Sequence, residues 1–205
     1  MRLIDTHSHL FLEEFSEDFP QVIERARAAG VTHIFMPNID STTIEAMLSA
    51  CSLYKGYCFP MIGLHPTSVN ANYEKELEIV ARELKFSKEY VAIGEIGMDL
   101  YWDKTYLKEQ QIVLDKQVNW ALEYDLPVVI HCRDAFDYIY KVLEPYKKTP
   151  LRGIFHSFTG TAEEATRVLE FSDFFIGING VVTFKKSHLP EILAGIPLEK
   201  IVLET

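Results

Sequence analysis

Pro127-Val128-Val129-Ile130-His131-Cys132-Arg133-Asp134 decides how the rest of the chain is read. Three β-branched residues run straight into a histidine, and a polar cluster follows. A short unbroken apolar run suits a strand buried on both faces, as in a parallel sheet. Upstream, residues 108–124 repeat apolar side chains at helical spacing, with Ile112, Leu114, Val118, Ala121 and Leu122 expected to face inward. Downstream, residues 135–146 read as another helix. The unit is helix, buried strand, polar turn, helix.

The unit recurs in both directions. Further strands are expected at Leu3-Ile4 and at residues 31–36, 58–64, 91–93, 153–155, 174–178 and 201–203, with Val128-Val129-Ile130 the fifth of eight. Helices are expected at 18–29, 41–54, 73–86, 161–171 and 189–194. Gly30 is placed to end the first of these, and Ser41 to cap the second, with Glu45 near a capping-box position; Thr161 is placed to cap another. Eight strands interleaved with helices predict an α/β fold, a (β/α)8 TIM-type barrel lacking the last helix, because the sequence stops directly after the eighth strand. No linker or low-complexity stretch divides the chain, so residues 1–205 read as a single barrel domain, incomplete at its C-terminus.

Composition narrows the function. The 205 residues are 48% hydrophobic, which supplies a core and excludes a disordered chain. Thirty acidic residues against 20 basic ones give a net charge of −10. That excludes a surface-wide basic footprint for nucleic acid, but not a local anion site built on metal ions. No apolar run approaches the roughly 20 residues of a bilayer-spanning helix, and Met1-Arg2-Leu3-Ile4-Asp5 turns polar too soon for a signal peptide. Cys51, Cys58 and Cys132 are odd in number and lack CxxC spacing, so they read as intracellular thiols. The expectation is a cytoplasmic protein without membrane association or an obligate protein partner.

In parallel β/α folds, function collects where the strands end. Here those ends carry Asp5-Thr6-His7-Ser8-His9, Gly63-Leu64-His65-Pro66, Gly94-Glu95-Ile96-Gly97-Met98-Asp99, His131-Cys132-Arg133-Asp134, His156-Ser157-Phe158-Thr159-Gly160, Thr183-Phe184-Lys185-Lys186 and Glu204. Five of the seven histidines are among them. His7 and His9, two residues apart on extended backbone, point to one side and can share a metal ion. Glu95, after a buried strand, must be ligated or paired, Arg133 being the ordinary partner. Together, His7, His9, Glu95, His131 and His156 exceed what one tetrahedral ion needs. They suit two divalent ions (magnesium, manganese or zinc) bridged by Glu95. His65, Arg133 and Lys185 are candidates for substrate binding. Tyr101, Trp102, Tyr106 and Tyr138 offer faces on which bases could stack, though such aromatics more often pack.

This ordered set resembles the TatD-like metal-dependent deoxyribonucleases, a branch of the metal-dependent hydrolase barrels, over the whole chain. In related amidohydrolases a modified lysine often bridges the metals; here Glu95 stands at that strand end, as in the TatD group. The resemblance implies a divalent-metal site from His7, His9, Glu95, His131 and His156. It also implies hydrolysis of DNA phosphodiesters from the 3′ end of single strands, with Glu95 at the centre of catalysis. The family follows Leu-Glu-Thr with an Asp that ligates metal and helps activate the attacking water. This sequence ends at Thr205, so impaired catalysis by these 205 residues is expected. Glu204, one place earlier, is expected to face away from the site. Two alternatives stand beside this reading: an amidohydrolase or lactonase acting on a small molecule, and a catalytically silent fold.

Overall fold

A computed structural model describes residues 1–205. Its strands are β1 (Leu3–Asp5), β2 (Val31–Pro37), β3 (Cys58–Met61), β4 (Ile93–Asp99), β5 (Val128–Arg133), β6 (Gly153–Phe155), β7 (Phe174–Ile178) and β8 (Ile201–Leu203). Between them lie α1 (Phe19–Ala28), α2 (Ile44–Leu53), α3 (Tyr73–Phe86), α4 (Leu107–Glu123), α5 (Phe136–Leu143), α6 (Ala162–Val168) and α7 (Leu189–Leu193). All neighbouring strands run parallel, in the order β1-β2-β3 and β4-β5-β6-β7-β8. Two seams bring these sheets round into a ring. At one, Ile62 bridges Ile93, and the Gly94 N–H donates to the Ile62 carbonyl at 2.8 Å. At the other, the Thr6 N–H donates to the Leu203 carbonyl at 3.1 Å. The fold is the α/β barrel that the strand–helix alternation predicts, with β8 as its last element. No helix is long and apolar enough to cross a membrane.

The main hydrophobic cluster joins strand residues such as Ile34, Ile96, Ile130, Phe155 and Ile176 to helix residues such as Met47, Val80, Val118, Ile139 and Val168. Every residue of β4 is buried, including Glu95 and Asp99. That strand departs most from the sequence reading, which ended it at Ile93. Gly94 and Gly97 look like strand breakers, yet here glycine permits close approach. A Cβ on Gly97, whose φ is +140°, would lie 2.0 Å from the His131 carbonyl oxygen. Likewise β5 runs on through His131 and Cys132 to Arg133, so these residues belong to the strand and not to a following turn.

Two other expectations fail locally. Ser41 does not cap α2, which starts at Ile44 with Thr43 before it; Ser41 instead donates its N–H and hydroxyl to the Glu76 carboxylate, both at 2.9 Å. Ile112 is half exposed. The buried stripe of α4 is Gln110, Val113, Leu114, Gln117, Val118 and Ala121, spaced for one helix face, and Ile112 lies off it.

The two buried glutamines explain how α4 is pinned. Gln117 accepts from the Leu64 N–H at 2.7 Å and donates to the Leu64 carbonyl at 3.2 Å. Gln110, two turns earlier, does the same with Asp99, at 2.9 and 3.1 Å. Each amide thus takes the place of a neighbouring strand at a segment that carries a polar residue of the site. Gln117→Leu, close in size, should lower unfolding stability by about 2–4 kcal/mol in urea titrations, because both Leu64 groups lose their partner in a dry environment. A loss below about 0.5 kcal/mol would show that the clamp contributes nothing beyond its packing.

Candidate metal centre

Glu95 lies in the middle of β4 with its side chain 3% exposed, and five imidazoles surround it. They divide between its two oxygens. His7 Nε2 and His9 Nε2 lie 3.1 and 3.2 Å from Oε2. His65 Nε2, His131 Nδ1 and His156 Nε2 lie 3.1, 2.9 and 2.7 Å from Oε1. The carboxylate that composition alone would pair with Arg133 is held by histidines instead.

Each histidine is positioned by backbone and by buried polar side chains. The Ser8 N–H donates to the Phe35 carbonyl, fixing the loop between His7 and His9. Asp5 accepts from the His7 N–H at 3.2 Å, and from the N–H and hydroxyl of Thr205 at 3.1 and 2.7 Å. It therefore ties the start of the barrel to its end. Burial outweighs these bonds and raises the Asp5 carboxyl above its usual range. The wholly buried Asn38 side chain donates to the Gly63 carbonyl at 2.9 Å, and the Asn38 backbone carbonyl accepts from the Glu95 N–H at 3.1 Å. His131 presents Nδ1 to Glu95, while its Nε2 lies 3.0 Å from Asp99 Oδ2. That second contact is the kind that fixes a ligating imidazole's tautomer and ring plane.

Glu204 corrects the expectation that it faces away. Leu203 points outward, half exposed, and the alternation turns Glu204 inward to a side chain 1% exposed. Its Oε1 accepts from the Ser157 N–H and lies 3.6 Å from His156 Nδ1. His65, read from the sequence as a group supporting the site or a substrate contact, lies within the cluster, 3.1 Å from Glu95 Oε1. Arg133 is exposed, with its guanidinium 3.8 Å above the Tyr101 ring and no carboxylate partner. Lys185 is exposed on the segment after β7 and makes no hydrogen bond or ion pair with the cluster. Asn38, Asp99, Gln110 and Gln117 were not singled out by sequence as groups that position the site. The one signal available was a pair of glutamines two turns apart on an otherwise apolar helix face.

The donor set fits divalent metal. His7 Nε2 and His9 Nε2 are 3.1 Å apart. That is close to the ~3.3 Å separating two nitrogens that share a tetrahedral ion with bonds of about 2.0–2.1 Å. Five ring nitrogens converging on two oxygens exceed what hydrogen bonding to one carboxylate requires, and they fall into groups spaced for metal. His7, His9 and Glu95 form one such group, and His65, Glu95 and His131 another. His156 lies near both, stacked on His7 at 3.8 Å and also grouped with Glu204. The buried Nδ1 atoms of His7 and His9 have no partner.

The cysteines are unpaired, and burial pushes all three thiols up to about 12, so none is a ready nucleophile. Beside the cluster, a cleft of about 370 Å³ lined by His131, Arg133, His156, Ser157 and Thr159 opens toward solvent.

Without metal, this cluster makes stability depend on pH in both directions. Burial and the neighbouring His156 lower His7 to about 4. Burial opposes charge on His156, but Glu95 and Glu204 outweigh it and hold the imidazole up to about 10. Glu95 stays well below the usual carboxylate range despite burial, because His156, His7 and His65 surround it. Below about pH 6.5 the unfolded chain binds the His7 proton more readily than the native one, so stability falls as pH drops toward 4. Above about pH 6.5 the native chain holds the His156 proton more tightly, so stability falls as pH rises toward 10. Thermal melts in EDTA should therefore peak near neutrality and decline on both sides. A melting temperature flat from pH 5 to pH 9 would contradict this charge assignment.

Comparison with known proteins agrees with the geometry. The profile of the TatD related DNase family matches residues 4–205. The chain is 35% identical to an uncharacterized metal-dependent hydrolase, YabD of Bacillus subtilis, across 99% of this chain and 79% of that one. It is 33% identical to a 3′-5′ ssDNA/RNA exonuclease TatD of a Pantoea species, across 99% and 78%. The crystal structure of YjjV, a TatD homologue of Escherichia coli, superposes with a TM-score of 0.91 at 32% identity, covering 100% of this chain and 78% of that one. The chain belongs to the TatD-related DNase family and is a metal-dependent hydrolase.

Proposed function

We propose that this hydrolase cleaves phosphodiester bonds of single-stranded nucleic acid from the 3′ end, using two divalent ions that His7, His9, Glu95, His131 and His156 would hold. The observation that carries the reading is the division of five imidazole nitrogens between the two oxygens of one buried carboxylate. His7 and His9 would hold one ion, and His131 and His156 the other, Glu95 would serve both, and His65 lies beside its Oε1. Such ions, when bound, lower the pKa of water and offset charge on phosphoryl oxygens. The protein's own groups do the positioning. Arg133 is free of carboxylate partners and braced on Tyr101, so its fork can hold a phosphate oxygen. Lys185 adds a cation from the segment after β7.

The exonuclease name of the Pantoea relative supports the choice of substrate, and a net charge of −10 shapes it. A chain this acidic lacks the basic surface that drives salt-dependent binding, so affinity for DNA is local and depends on metal. Unpaired thiols accord with a cytoplasmic enzyme of one barrel domain.

With manganese, magnesium or zinc, the protein should shorten a 5′-labelled single-stranded oligonucleotide progressively from its 3′ end, at the impaired rate that the family resemblance implies. Glu95→Ala should remove both hydrolysis and metal retention after desalting. Full activity in that variant, or cleavage of lactones and cyclic amides with DNA and RNA left intact, would overturn the proposal, the second result in favour of a small-molecule hydrolase.

A further inference from the structure

A larger cavity, of about 490 Å³, lies against the cluster and has no role in the reading above. Its volume is in the range that encloses small organic ligands. Arg133 and His156 line both it and the smaller cleft, so the two spaces meet at those residues. The remaining walls are of two kinds: aromatic surface from Tyr101, Tyr138 and Phe158, and carboxylates from Asp134, Asp137 and Glu164.

These carboxylates are not equivalent. Asp137 is paired with Arg167 at 2.7 Å. Glu164 accepts from the Thr161 N–H in the capping box that starts α6, at 2.6 Å. Asp134 makes no side-chain hydrogen bond or ion pair, and it is exposed toward the cavity it lines. Its φ is +52°, a left-handed conformation that non-glycine residues adopt sparingly and that recurs at functional sites.

Charge then sorts a bound nucleotide. A phosphate is attracted to Arg133 and repelled by the carboxylates. What suits the carboxylates and the aromatic walls is a flat, uncharged ring that presents N–H donors. We propose that this cavity is the nucleobase pocket of the nucleotide whose phosphate lies beside His156 and Arg133, and that Asp134 reads the N–H donors of the base. The inference rests on the nucleic-acid reading above and adds base preference to it. Guanine offers two adjacent donors, N1–H and the 2-amino group, which one carboxylate can accept together. Thymine offers a single N–H flanked by two carbonyl oxygens that a carboxylate repels.

Calorimetric titration of the manganese-loaded protein with dGMP, dTMP and 2-deoxyribose 5-phosphate tests this. dGMP should bind about tenfold more tightly than the other two, a typical discrimination for a bidentate base contact. Asp134→Asn, which tolerates the left-handed backbone, should keep the fold and bring the dGMP to dTMP ratio near unity. Equal affinity for all three ligands would overturn the proposal, and so would an unchanged ratio in folded Asp134→Asn. Single-stranded oligonucleotides ending in dG or dT separate this inference from the nuclease reading. Hydrolysis with no terminal preference would remove the pocket and keep the nuclease. A dGMP preference without hydrolysis of DNA or RNA would keep the pocket and remove the nuclease.

Discussion

A desolvated carboxylate at the centre of a barrel is the constraint on which the rest of this structure depends. Taking Glu95 out of water costs several kcal/mol unless charge and hydrogen bonds are supplied to it. One partner cannot do this from a strand interior, so the compensation comes from five imidazoles at the ends of four other strands. The arrangement works only if β1, β3, β4, β5 and β6 bring those ends together, which a closed ring of parallel strands achieves. Fold and site are thus one requirement. The same geometry that makes the carboxylate tolerable leaves more nitrogen donors than hydrogen bonding uses, and this surplus is what suits the site to metal.

Buried polar side chains hold the ring in that shape. The Asn38 side chain ties the end of β2 to the turn after β3; Asp5 ties the start of the chain to Thr205; the glutamines of α4 occupy backbone groups at Leu64 and Asp99. Each satisfies groups that would otherwise be buried without partners, and each is one step from a residue of the cluster. His131 shows the chain of influence: Gln110 holds the backbone of Asp99, Asp99 holds Nε2, and Nδ1 faces Glu95. A change on the outer helix therefore reaches the site through two hydrogen bonds.

What the sequence disclosed follows from the same physics. β6, β7 and β8 match their expected bounds because uninterrupted apolar runs identify buried parallel strands directly. The cluster was legible because histidines after such runs have few structural uses. β4 was misjudged because Gly94 and Gly97 break the apolar pattern, although their role is to let backbones approach. Glu204 was assigned to the wrong side because its orientation depends on which way Leu203 turns, and a three-residue strand does not reveal that. Asn38, Gln110 and Gln117 were missed because a buried amide is identified by its partners, and those lie far away in the chain.

The measurement closest to the central claim is electron paramagnetic resonance of the protein titrated with manganese. Two ions sharing Glu95 should saturate at two per chain, with the broadened signal of an exchange-coupled pair. Saturation at one ion per chain with the six-line spectrum of an isolated centre would contradict the division of the histidines between the two oxygens of Glu95.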